Sequence, residues 1–186
     1  MYHVAILANL KKNAPHLPDD PPDAWADLDS EHTIEAIAAA LRAGGHRTTF
    51  LEANVDLLDN LREAKPDICF NIAEGHYGDS REAQVPALLE LLKIPYTGSR
   101  VMTQAISLDK TMTKRIWQSF GLRTAPFQSF ESVDDPLDPE LIFPLFVNPS
   151  REGTGIGVTS QSIARNEAEL RERVDHVIRT YEQPAL

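Results

Sequence analysis

The sequence predicts an α/β fold in which a parallel sheet covered by helices is followed by a smaller α+β piece. Three observations predict it. Apolar runs of strand length alternate with stretches of helical spacing from Val4 to Lys93, the pattern of strands joined by helical crossovers. Pro and Gly punctuate the alternation at Pro66, Gly44-Gly45 and Gly98. After Gly121 the composition shifts to short strand-like runs separated by Pro and acidic residues.

Val4-Ala5-Ile6-Leu7-Ala8 has the character of a buried strand, and the polar, Pro-rich stretch Lys11 to Asp23 cannot continue it. Asp29 or Ser30 can cap a helix in which Ile34, Ile37, Ala38 and Leu41 share a face, with Gly44-Gly45 as its stop. A β-rich stretch His46 to Leu51, a helix over Val55 to Ala64 and a buried strand Asp67 to Ile72 follow. Arg81 to Lys93 is helical, with Val85, Leu88, Leu89 and Leu92 on one side, and Ile94 to Gly98 reads as a short strand and turn. Ser99 to Leu108 contains the domain boundary, and Asp109 to Phe120 is a further helix. In the second part Leu141 to Val147 is strand-like, Ser150 to Gly157 is a Gly-rich loop, Val158-Thr159 resumes a strand, and Glu167 to Arg179 is helical.

A chain of 186 residues holds one full domain and part of another. Its net charge of -10 and the lack of a basic run argue against nucleic acid as a partner. No apolar stretch approaches the roughly 20 residues that span a bilayer, and no leader pattern opens the chain, so the expectation is a cytoplasmic protein with no membrane partner. The lone Cys69 lies in an apolar run with no second thiol to pair with, and reads as a core residue.

Two segments can carry chemistry. Pro149-Ser150-Arg151-Glu152-Gly153-Thr154-Gly155-Ile156-Gly157 places glycines at alternate positions between two expected strands, unlike a P-loop or a dinucleotide fingerprint. Such a loop is either a simple turn or a hairpin that bends over an anion with its N–H groups, Thr154 adding a hydroxyl. The second segment, Asn71 to Asp79 with His76, follows a buried strand, where parallel sheets open onto a ligand crevice. Its alternative is a solvated loop with turns at Gly75 and Gly78. Lys110 and Lys114, one turn apart at a helix start, either face a phosphate together or lie on a solvated face.

Ile94-Pro95-Tyr96-Thr97-Gly98-Ser99, then Leu108-Asp109-Lys110 with Lys114, then Pro149-Ser150-Arg151-Glu152-Gly153 resemble, in order and spacing, D-alanine:D-alanine ligase and its ATP-grasp relatives. The likeness runs over residues 67 to 159. It implies a Rossmann-like N-terminal domain over residues 1–104 and an incomplete ATP-grasp central domain over residues 105–186. Members of the family use Mg-ATP to activate a carboxylate as an acyl phosphate, which an amine then attacks to give a peptide or amide bond.

Carried over by position, the resemblance puts Lys110 on ATP phosphates and closes Glu152, Gly153, Gly155 and Gly157 over them. Thr154 takes the place of a substrate-side serine, and Glu31 that of the acid holding the substrate amine. His76 falls in the family's His-Gly region, with the order changed to Glu74-Gly75-His76. Asn148 stands where the family has a nucleotide-binding lysine and supplies no positive charge. The family's magnesium ligands come after Leu186, so no metal ligand is assigned. ATP and Mg2+ therefore belong to the complete enzyme, and this chain is expected to bind them weakly or not at all and to be inactive alone. The implied partners are a small amino-acid or carboxylate substrate and a second copy through the N-terminal domain. Two functions are compatible: the N-terminal portion of an ATP-dependent carboxylate-amine ligase, or a non-catalytic small-molecule-binding or regulatory remnant.

Overall fold

Strand β1, His3–Ala8, is buried at all six positions. That is what a central parallel strand covered on both faces requires, and it explains the unbroken apolar run. The computed structural model describes all residues, 1–186, and places β1 between β2 (Arg47–Glu52) and β3 (Ile68–Asn71), both parallel to it. Side chains of β1 alternate between two cores. Ile6 and Ala8 pack with Ile34 and Ala38 of helix α1 (Glu31–Ala43). Ala5 and Leu7 pack with Leu57 and Leu61 of α2 (Leu57–Ala64) and with Val85 and Leu89 of α3 (Gln84–Leu92). Each fully buried leucine contributes about 1.5–3 kcal/mol.

Ser30 caps α1, its side chain accepting from the Thr33 N–H. Beyond β3 the chain adds one further rung, since Cys69 N–H donates to Pro95 O at 2.8 Å and Thr97 N–H to Cys69 O at 2.9 Å. The expected strand Ile94 to Gly98 is thus reduced to a bridge at Tyr96.

The chain divides into two units, Met1–His16 with Trp25–Ala105, and Leu17–Ala24 with Ile106–Leu186. Helix α4 (Val101–Leu108) fills the stretch read from sequence as a boundary, and Asp109 caps the next helix, α5 (Lys110–Ser119), by accepting from the Met112 N–H. In the second unit β4 (Leu145–Phe146) runs antiparallel to β5 (Ile163–Ala164). Two strand expectations are corrected here. Leu141 to Pro144 is not strand, and Val158-Thr159 is not the return strand, because Thr159 caps a short helical turn at Ser160–Ser162. The far side of the β4 segment is paired by the last residues: Asn148 and Leu186 exchange bonds, and Ala185 exchanges bonds with Phe130. Helix α6 (Glu167–Tyr181) buries Leu170, Val174 and Val177 against Phe130, Val147 and Ala185.

Candidate functional site

In the first unit, the site is assembled at the carboxyl ends of β1 and β3. Asn9, directly after β1, has no exposed surface; its Oδ1 accepts from the Gly75 N–H at 2.9 Å and its Nδ2 donates to Ala53 O at 2.8 Å. Gly75 has φ +75°, and a Cβ there would lie 2.8 Å from Arg81 O. Glycine is therefore required for the chain to double back past Arg81. His76 follows, 3.4 Å from Asn9 Nδ2 and edge-on to Trp25 with ring centroids 5.6 Å apart.

Charge is concentrated around this turn. Asp27 and Arg81 form an ion pair at 3.3 Å with side chains 5% and 11% exposed, and Asp27 Oδ1 is buried without a partner. Burial, then repulsion from Glu82 and Asp27, pushes the Glu74 carboxyl up to about 7. Burial lowers His76 against the opposing pull of Glu52 and Asp27, which favours the neutral ring. Glu31 stands apart from this group: it is exposed and paired with Lys12 at 2.5 Å.

In the second unit the Gly-rich loop hangs beside the start of α5. Lys110 Nζ donates to Pro149 O at 2.9 Å and to Glu152 O, so its ammonium sits at the foot of the loop. Lys114 does not join it. Its Nζ donates to Thr124 Oγ1 at 2.6 Å and lies 5.1 Å from the Phe127 ring centroid, so the two lysines do not converge on one point. Asp109 Oδ2 accepts from Arg151 Nε at 3.1 Å. The loop bends through Thr154 at φ +51° and Gly155 at φ +82°. A β-branched residue in that region is strained, a feature concentrated at ligand clamps. An added Cβ at Gly153 or Gly155 would meet nothing within 4 Å.

The second unit also holds a cavity of 530 Å³ lined largely by apolar side chains, among them Phe127, Leu141 and Ile142, with Lys114, Gln128, Glu140 and Asn148 as polar members. Asn148 Oδ1 is buried without a partner. Burial holds Lys114 below the usual ammonium range. No group of three or more His, Cys, Asp or Glu stands ready to hold a metal ion, and no helix is long and apolar enough to cross a membrane.

A parallel α/β unit followed by a unit with a lysine-footed Gly-rich loop is similar to the arrangement of the ATP-grasp ligases. Residues 116–183 match the model of the family described as the D-Ala–D-Ala ligase C-terminus. Within that class the chain resembles D-alanine–D-alanine ligase. It is 42% identical over 127 residues to the D-alanine–D-alanine ligase of Aquifex aeolicus, covering 68% of this chain and 43% of that one. It is 39% identical over 125 residues to D-alanine–D-alanine ligase B of Pseudomonas putida, covering 66% and 39%. An uncharacterized protein of Sinorhizobium fredii is 31% identical over 178 residues, 89% of this chain and 50% of that one. The chain thus spans half or less of the length of these relatives. The fold is that of the Bacillus anthracis D-alanine–D-alanine ligase solved with ATP, with a TM-score of 0.72, 20% identity, and coverage of 100% of this chain and 57% of that one.

Asn9, Trp25, Asp27 and Arg81 escaped the sequence reading. They come from separate stretches of chain, and no local spacing links them. The one available signal was the polar Asn9 immediately after an apolar strand.

Proposed function

We propose that this chain is the N-terminal portion of an ATP-dependent carboxylate-amine ligase that works through an acyl phosphate. The observation carrying the proposal is the Lys110 ammonium held at the foot of a Gly-rich loop whose Gly153 and Gly155 leave open space for an anion. In this reading residues 1–104 are the Rossmann-like domain and residues 105–186 a partial ATP-grasp domain, with pairing of two chains through the first.

The residues present suit a nucleotide in part. The largely apolar cavity matches a purine, and the unpartnered Asn148 Oδ1 can accept from an exocyclic amine. ATP would supply the phosphoryl group that activates the carboxylate. Lys110 offsets phosphate charge, and Glu152, Gly153, Gly155 and Gly157 shape the loop over it, with Thr154 offering a hydroxyl to the substrate. The magnesium ion of the family finds no ligand set here.

At the other site, we assign the substrate's amine to the Asp27 and Glu74 carboxylates rather than to the exposed Glu31. Asp27 Oδ1 has no partner, and burial, then repulsion from Glu82 and Asp27, raises the Glu74 carboxyl to about 7, so that an arriving ammonium favours its ionised form. His76, kept neutral, can hold the substrate carboxyl by an N–H.

The test is a titration of the chain with Mg-ATP followed by amide resonances. Movement of residues 152–157 and of the cavity-lining residues, with a Kd weaker than about 0.1 mM, is the expected result. No movement at millimolar ligand refutes the nucleotide reading. Asn148 favours a second reading, a non-catalytic remnant of the same family. If it is the whole defect, Asn148→Lys strengthens Mg-ATP binding about tenfold; unchanged affinity favours the remnant.

A further inference from the structure

The Pro-rich stretch between β1 and α1 plays no part in the function proposed above, yet Leu17–Ala24 belongs to the second unit. It is a run of tight turns: Leu17 N–H donates to Asp20 Oδ2 at 2.8 Å, and Ala24 N–H to Pro21 O at 3.0 Å. With Pro18, Pro21 and Pro22 fixing φ, the segment is stiff. What it delivers is the Asp23 carboxylate, both oxygens of which are used. Oδ2 accepts from the Gly157 N–H at 2.8 Å and Oδ1 from the Tyr181 hydroxyl at 3.0 Å.

Gly157 is held on every side. Its carbonyl accepts from Arg173 of α6. An added Cβ would lie 2.5 Å from Pro149 Cγ and 3.2 Å from Tyr181 Cε2. The glycines of the loop therefore do different jobs: Gly153 and Gly155 are open, whereas Gly157 is buried and fastened.

We propose that Asp23 is the positioning residue of the Gly-rich loop, a strap that pins its base at Gly157 so that only the Gly153–Gly155 tip moves over a bound phosphate. The phosphate in this statement rests on the function proposed above; the strap itself does not. Because Asp23 and Tyr181 share the contact, removing either partner loosens the base, and loss of the charge alone weakens the Gly157 bond.

The experiment follows amide resonances of the 186-residue chain and its Asp23→Asn and Tyr181→Phe variants. In wild type the Gly157 proton lies downfield, as a charge-assisted bond requires. In Asp23→Asn it moves upfield and exchanges about tenfold faster, while amides of β1 and α6 exchange as before. Tyr181→Phe gives a smaller change of the same sign. Wild-type shift and exchange at Gly157 in both variants overturn the strap. Mg-ATP then separates the two claims: if the Gly157 amide loosens in Asp23→Asn but no loop amide responds to Mg-ATP in wild type, the strap stands and the phosphate reading falls.

Discussion

Replacing Asn9 with alanine removes the one side chain that ties the end of β1 to the turn at Gly75. Its two bonds, at 2.9 Å and 2.8 Å, connect a fully buried amide group to Gly75 and Ala53. Gly75 is itself buried, so in Asn9→Ala its N–H is stranded away from water, which costs about 1–3 kcal/mol. Ala53 is only half-buried and its carbonyl can turn to solvent, adding about 0.5–1.5 kcal/mol. The sum, about 1.5–4.5 kcal/mol, is a large share of the roughly 5–15 kcal/mol typical of a domain. Urea unfolding in a Trp117→Phe background reads the first unit through Trp25, which stands edge-on to His76. With a slope of about 2 kcal/mol per molar, the midpoint should fall by about 1–2 M. A fall below about 0.3 M at unchanged slope would show that Asn9 does not hold the turn.

Glu74 carries a pH signature. Its carboxyl rises from the ordinary 4.5 to about 7, so between those values the folded state keeps a proton that the unfolded state has released. Its contribution to stability is therefore full at the acid end and is lost as pH rises through about 7. Glu74→Gln should remove that decline, read as urea midpoints at about pH 5 and about pH 8; an unchanged decline assigns the slope to another group. In the Gly-rich loop, Gly157→Ala forces a left-handed residue against the Pro149 ring and should cost about 2–4 kcal/mol in thermal unfolding. Gly153→Ala, with open space and no positive φ, should stay within about 0.5 kcal/mol; equal losses would mean that the two glycines are not differently placed.

Helix α1 was legible because Ser30 marks its start and Gly44 its end, and β1 because a strand covered on both faces shows no alternation. Helix α4 was not legible. Val101 to Leu108 is preceded by Arg100, which is not a capping residue type, and runs into α5 with Asp109 alone between them. Strands β4 and β5 have two residues each, too few for a period to show. Their sheet is completed by Pro184 to Leu186, where proline reads as a breaker although its missing N–H is not needed at that position. At the site, the polar turn after β3 could be read from the strand that precedes it. The Asp27–Arg81 pair could not, since 54 positions separate its partners and only the folded chain brings them together. Asp23 was hidden for the opposite reason: its neighbours Asp19, Asp20 and three prolines make the segment look like solvated linker.

The central place of β1 also has a consequence during synthesis. Ala5, Ile6, Leu7 and Ala8 are fully buried in the finished fold, and both strands that flank them, Arg47–Glu52 and Ile68–Asn71, are made later. Until Asn71 has left the ribosome, the nascent chain carries an uncharged, β-prone hexapeptide with at least one free edge, the kind of segment that pairs with copies of itself. Lys11 and Lys12 are the charges that follow the strand most closely and can discourage that pairing, and chaperone demand should be highest before the two flanking strands are made.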